Sequence, residues 1–187
     1  AISLLLTNSG AAAIPAAGSG LPHASAAALS IDPKGILGFI DQVNAKVGGL
    51  HSFMLLRHGK VAAEAWWAPY GPSYRHMLYS LSKSFTSTAI GLAVNEGHLS
   101  VSTSVTEIFP DKLPASISAN LRALEVRHLL SMSVGHATDS TGPITSAANG
   151  DWVKSFLSLP IEYQPGTHFV YNSGATYMLS AIVQKLT

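Results

Sequence analysis

The chain has 187 residues, a formal net charge of +1, 11% charged and 47% hydrophobic residues, and no cysteine. Charged residues usually make up about a quarter of a soluble domain, so this chain holds ample apolar content for a core in one or two domains. Disulfides, thiolate chemistry and cysteine–zinc sites are excluded, the near-neutral charge argues against nucleic acid or an anionic membrane surface as partner, and no apolar run approaches the ~18 residues of a membrane span.

Residues 1–31 are rich in Ala, Ser and Gly and contain no Asp, Glu, Lys or Arg before Asp32. Ile2 to Leu6, followed by Ala11-Ala12-Ala13 and Ala24-Ser25-Ala26, has two readings. One is the end of an export signal with its cleavage region, lacking a basic start, which would place the protein in the periplasm or outside the cell. The other is a flexible Ala-rich leader. The folded part is expected from residue 32 to 187, with 32–79 carrying a helix and the first sheet strands and 80–187 the remaining helices.

Asp32-Pro33 reads as an N-cap followed by proline at the first helical position. Ile36, Leu37, Phe39, Ile40, Val43 and Val47 then predict one apolar helix face, closed by Gly48-Gly49. Ser52 to Arg57 predicts a strand, His58-Gly59 a turn, and Val61 to Trp67 its hairpin partner. Ala68 to Pro72 is a loop. Thr106 to Pro110 predicts a helical turn stopped by proline. Leu124 to Met132 predicts a strand-like entry into a short helix, and Val134 to Gly150 a long Gly/Ser/Thr/Ala loop of the kind that is often functional. Asp151 to Leu159 is a short helix, Gln164 to Thr167 a turn, His168 to Val170 an extended approach, and Tyr177 to Leu186 a last apolar helix. No internal repeat is visible.

The stretch with chemistry is Tyr79 to Ser87, which contains Ser80-x-x-Lys83 ahead of an apolar period (Phe85, Ala89, Ile90, Leu92, Ala93, Val94) that ends at Gly97. On a helix Lys83 returns to the face of Ser80 one turn later, and its stem leans back toward the N-terminus. A lysine amine then stands where a serine nucleophile needs a proton partner. With 24 Ser and seven Lys in the chain, about one such match arises by chance, so an N-capping serine beside a solvated lysine is the alternative on local grounds. Ser82 points about 200° around the helix from Ser80. The eight histidines include no pair at the four-residue spacing of a helical zinc site, so no cofactor is expected, and His136 reads as structural. No Gly-x-Ser-x-Gly elbow is present. Trp66, Trp67 and Tyr70 read as core and rim.

Taken in order, Tyr79 to Ser87, Asn95-Glu96-Gly97-His98-Leu99, Val126 to His136, Gln164 to Thr167 and Tyr171-Asn172-Ser173-Gly174 resemble the serine beta-lactamase and penicillin-binding superfamily, most of all class C beta-lactamases and the related esterases and amide hydrolases. The resemblance covers roughly residues 35–187. It implies an α+β fold of the beta-lactamase/transpeptidase type, an antiparallel sheet flanked by helices plus a mostly helical subdomain. It implies Ser80 as nucleophile, Lys83 as its amine partner and Tyr171 as the tyrosine of the second motif, with the Ser80 backbone N–H as one half of an oxyanion hole. Tyr171 and Lys83 would titrate as a pair. Taken alone, Tyr171 is an aromatic residue whose hydroxyl finds a partner.

Two departures stand out. Ser173 occupies the place where the family usually has asparagine, with Asn172 one place early, which tilts the expected substrate toward small esters or amides and away from lactams. The third motif of the family, on a sheet-edge strand, is absent. The chain therefore resembles the first half of such an enzyme, completed by a second polypeptide, truncated, or inactive alone. The expectation is a serine hydrolase acting on a small ester, amide or lactam through an acyl-enzyme on Ser80. The alternatives are a beta-lactamase or D-alanyl-D-alanine peptidase, or a non-catalytic relative that binds peptidoglycan or a peptide-like ligand.

Overall fold

The computed structural model describes residues 2–6 and 20–187; the Ala11–Ala13 portion of the expected leader lies outside the described residues. The chain divides into two units, residues 1–77 and 78–187.

In the first unit, strands β1 (Ile2–Leu6), β2 (Ser52–Arg57) and β3 (Lys60–Trp67) form an antiparallel sheet in the order β1-β3-β2. The β2–β3 hairpin closes through His58 and Gly59, both at positive φ (50° and 72°). A two-residue loop with positive φ at both positions matches the right-handed twist of the strands it joins. The central strand β3 is paired on both sides, and every residue from Val61 to Trp66 is buried, Glu64 among them at 4% exposure. That carboxylate accepts a 2.6 Å hydrogen bond from His23 Nε2. Two parts of the expected leader therefore belong to the fold: Ile2–Leu6 is a paired strand, and Ala26 and Leu29 are buried. Small side chains carry no periodic signal in sequence, yet they allow the close backbone approach seen between Ala24 N–H and the Val61 carbonyl (3.1 Å).

Helix α1 (Pro33–Lys46) starts as expected, with the Asp32 carboxylate accepting from the Lys34 N–H at 2.9 Å. Its buried stripe is narrower than the sequence pattern suggests. Ile36, Ile40 and Val43, at i, i+4 and i+7, are buried, whereas Leu37, Phe39 and Val47 are exposed. A stripe three residues deep suffices to cover a small sheet, and each buried aliphatic contributes at most about 1.5–3 kcal/mol. Phe39 instead lies against Phe53 with ring centroids 4.8 Å apart.

The second unit is helical: α2 (Ser82–Asn95), α3 (Val105–Ile108), α4 (Ala119–Arg122), α5 (Val126–Leu130), α6 (Thr141–Thr145), α7 (Trp152–Ser158) and α8 (Ser173–Leu186). Its core gathers around α8, which packs on α2, α5 and α7; Leu129, Phe156, Met178 and Ile182 are all at 1% exposure or less. Helix α2 ends as expected at Gly97, whose φ of 80° lets the His98 N–H reach the Ala93 carbonyl (2.9 Å) and its own N–H reach Val94 (3.1 Å). This pair of bonds satisfies the last carbonyls of the helix. The strand-like entry to α5 is a single bridge between Ser104 and Glu125.

Three local expectations need correction. Pro110 does not simply stop a helix but opens a further 3₁₀ turn, Pro110–Lys112, because proline fits the first helical position. The long loop 134–150 contains α6, with Ile144 buried; its Pro143 falls in the first turn, where no N–H is needed. Helix α8 begins four residues earlier than the apolar period suggests, because Asn172 caps it: the Asn172 Oδ1 accepts from the Ala175 N–H at 3.1 Å. Among the described residues no helix is long and apolar enough to cross a membrane.

Candidate active site

Ser80 lies in a 3₁₀ turn, Tyr79–Leu81, that runs directly into α2. The residue before it, Tyr79, sits at φ 46°, a left-handed conformation that costs a non-glycine residue about 1–2 kcal/mol. The first N–H groups of such a turn precede any internal acceptor, and the Ser80 N–H is among them. One turn on, Lys83 Nζ donates to Ser80 Oγ at 3.1 Å, the return to the same face that the Ser-x-x-Lys spacing predicts.

The third group arrives from a point 91 residues away. The Tyr171 hydroxyl donates to Ser80 Oγ at 2.5 Å, and Lys83 Nζ lies 5.1 Å from the Tyr171 ring centroid. Hydrogen bonds from Ser80 and Lys83 hold the Tyr171 phenol below its ordinary value of 10, while the negative charge of Asp139 pulls the other way. Tyr171 is 49% exposed, so the trio faces an open surface of its unit.

The supporting residues explain how Tyr171 is held. Asn172, its neighbour, is 1% exposed. Besides capping α8, its Oδ1 accepts from Ser140 Oγ at 2.7 Å and from the Ser140 N–H at 3.4 Å. Its Nδ2 faces His136 Nδ1 at 3.2 Å. Both polar atoms of the Asn172 side chain are thus engaged inside the protein. Ser173 is half-buried, and its backbone N–H donates to Asp139 Oδ1 at 3.1 Å. The same oxygen accepts from the N–H and the hydroxyl of Thr141 (3.2 and 2.8 Å). Asp139 thus joins the start of α6 to the start of α8. Gly174 completes the arrangement, since a Cβ there would lie 2.1 Å from Ser140 Oγ.

Asp139 and Ser140 escape a reading of the sequence, and His136 reads there only as structural, because all three sit in an aperiodic Gly/Ser/Thr stretch. Only the position of Asn172 ahead of the α8 period hints at a cap that needs partners. Trp66 is core, Trp67 donates through Nε1 to Asn44 Oδ1 (2.8 Å), and Tyr70 stacks on His51 with centroids 3.8 Å apart. Among the described residues no three His, Asp or Glu side chains converge as metal ligands.

The beta-lactamase family profile matches residues 40–187. Over 151 residues the chain is 31% identical to a 6-aminohexanoate-dimer hydrolase of Paenarthrobacter ureafaciens, covering 73% of this chain and 38% of that protein. Its fold is similar to that of EstCE1, a hydrolase with promiscuous acyltransferase activity (TM-score 0.61, 22% identity, 86% of this chain and 47% of that one). It is also similar to a putative 6-aminohexanoate-dimer hydrolase from Bacillus anthracis (TM-score 0.58, 17% identity, 79% of this chain and 42% of that one). A third solved structure is the octameric penicillin-binding protein homologue from Pyrococcus abyssi (TM-score 0.53, 22% identity, 83% of this chain and 39% of that one). The chain spans less than half the length of each of these relatives.

Proposed function

The chain belongs to the beta-lactamase family, and we propose that it is the nucleophile-bearing portion of a serine hydrolase that forms an acyl-enzyme on Ser80. The observation that carries this reading is the convergence of Lys83 Nζ and the Tyr171 hydroxyl on one oxygen, Ser80 Oγ, at 3.1 and 2.5 Å. A serine hydroxyl is a weak nucleophile until a neighbouring base takes its proton. With Lys83 cationic, Tyr171 is the group whose ionisation is favoured; once the phenol has lost its proton, the 2.5 Å contact runs from Ser80 to the phenolate.

The steps follow from that geometry. Ser80 Oγ attacks the acyl carbon as its proton passes to the Tyr171 oxygen, and the carbonyl π-pair moves onto oxygen, where the Ser80 N–H offers one donor. Collapse of the tetrahedral species breaks the bond to the leaving oxygen or nitrogen, which takes the proton from Tyr171. Water then repeats the sequence in reverse and frees the acid.

Small esters or amides are the proposed substrates. One relative is named as a hydrolase of a 6-aminohexanoate dimer and a solved structure as a hydrolase with promiscuous acyltransferase activity. A second oxyanion donor and a further wall of the cleft are assigned to the longer protein of which relatives of this length class are examples, or to a companion polypeptide. Mixing the protein with an activated phenyl ester tests the reading. The expected result is a burst of phenol equal to the Ser80 concentration, followed by slower turnover, and no burst in Ser80→Ala. A burst that survives Ser80→Ala sinks the proposal.

A further inference from the structure

The hydrogen bonds beneath Tyr171 fix a proton that no motif specifies. Asn172 Oδ1 accepts from the Ala175 N–H and from the Ser140 hydroxyl, so the other arm of the carboxamide is the NH2 donor. That donor faces His136 Nδ1 at 3.2 Å, which must then be a bare lone pair. A neutral imidazole carries one N–H, so in His136 it is on Nε2. This nitrogen is buried and meets no hydrogen-bond partner among the described residues. An unmet buried donor costs about 1–3 kcal/mol. The other tautomer would set N–H against N–H at Asn172 and cost more.

We propose that His136 is a positioning residue for Tyr171, and that a proton on its Nδ1 is an acid-triggered release of the site. Protonation removes the acceptor that faces the Asn172 NH2 among the described residues. Asn172 then loses its fixed orientation, and with it the Ser140 bond and the cap of α8. Tyr171, one residue before Asn172, loses the anchor that sets its hydroxyl against Ser80. The ring is packed edge-on to Phe156 from α7, with centroids 5.0 Å apart. The charged group acting on it is Glu162, whose carboxylate favours the imidazolium, and Asp139 lines the same open recess of about 70 Å³ beside His136. Burial works against the charged form and outweighs Glu162, holding the imidazole below the ordinary histidine value. The switch is therefore off at neutral pH and reached from the acid side, through a recess that gives protons a way in.

This inference rests on the reading of Ser80 as nucleophile only for its effect on rate, and its structural part is tested separately. Nitrogen-15 NMR of the intact wild-type chain at neutral pH should show His136 neutral with hydrogen on Nε2. Amide exchange at Ala175 should accelerate as His136 protonates. A hydrogen on Nδ1, a charged ring at pH 7, or Ala175 exchange indifferent to that titration overturns the proposal.

Labelling of Ser80 with a fluorophosphonate then reads the consequence. The rate should fall as pH drops through the His136 titration. His136→Phe, which offers no acceptor, should label up to about 100-fold more slowly, the scale of a misplaced catalytic group. His136→Asn, with a non-titrating carboxamide oxygen near the place of Nδ1, should recover most of that loss and abolish the acid step. Equal rates for the two variants, or an acid step that persists in His136→Asn, would refute positioning by His136. Absence of labelling at Ser80 in the protein extended to the full length of its relatives would refute the nucleophile reading, while the tautomer and exchange data still decide the role of His136.

Discussion

Gly174→Ala is the substitution that most sharply tests how α8 is seated beneath the site. At an open helical position the change stabilises by up to about 1 kcal/mol. Here the added Cβ would stand 2.1 Å from Ser140 Oγ, 3.2 Å from Asn172 Oδ1 and 3.2 Å from Ile144 Cδ1. Ser140 Oγ must retreat by more than an ångström, which breaks its 2.7 Å bond to Asn172. Ser140 and Asn172 are 2% and 1% exposed, so water cannot replace the lost partner. Leaving a buried polar group unmet costs about 1–3 kcal/mol, and forcing a methyl into a filled core costs about the same again. Set against the gain in helix propensity, the net expectation is a loss of about 1–5 kcal/mol. Urea unfolding followed by circular dichroism measures it as a lower midpoint at unchanged slope. Gly91→Ala in α2, where no atom lies within 4 Å of the new Cβ, is the matched control and should hold or raise the midpoint. A Gly174→Ala protein as stable as wild type would mean that Ser140 and Asn172 are not locked together as described.

Tyr171→Phe and Lys83→Ala should each slow acylation of Ser80 by about 10²–10⁴-fold, the usual weight of a general acid–base group. The double variant should lose little more than either alone, because both groups bond to the same Ser80 oxygen; additive losses measured by stopped-flow would contradict that. Asp139→Asn removes the negative charge that opposes ionisation of Tyr171, so the pH at which acylation switches on should move down, whereas Lys83→Ala should move it up; a pH–rate profile checks both signs. Burial holds His128 and His136 below the ordinary histidine value, so the unfolded chain takes up protons first as pH falls through about 6.5. Stability should therefore begin to drop as pH falls through about 6.5. Glu125 and Asp151, held low by Arg127 and Lys112, should add their loss only below about pH 4. A urea midpoint that is flat or rises between pH 7 and 5 would contradict this order.

Helix starts and stops were legible in the sequence wherever a cap speaks for itself. Asp32-Pro33, His58-Gly59 and Gly97 all do in the structure what their chemistry requires. The placement of Lys83 against Ser80 was equally legible, since a three-residue helical spacing fixes the geometry with no tertiary information. The approach of Tyr171 was not: its 2.5 Å contact spans 91 residues, and only the ordered motif set suggested it. The cap that Asn172 makes on α8 was not legible either, because an asparagine in that place can face a cleft or cap a helix, and its partners Ser140 and His136 are distant in sequence. Those partners lie in a stretch whose Gly, Ser and Thr residues follow no period, so neither α6 nor the buried network under Tyr171 leaves a trace in pattern alone. Likewise the apolar excess on α1 overstates its buried face, because what a helix buries depends on the width of the sheet it covers.

The central claim is that Ser80 is the nucleophile, and one measurement addresses it directly: peptide mapping by mass spectrometry after reaction of the native protein with a fluorophosphonate. The account predicts a single adduct located on Ser80, weakened in Tyr171→Phe and absent in Ser80→Ala. Stoichiometric modification of another residue, or none at Ser80 in the protein extended to the full length of its relatives, would contradict it.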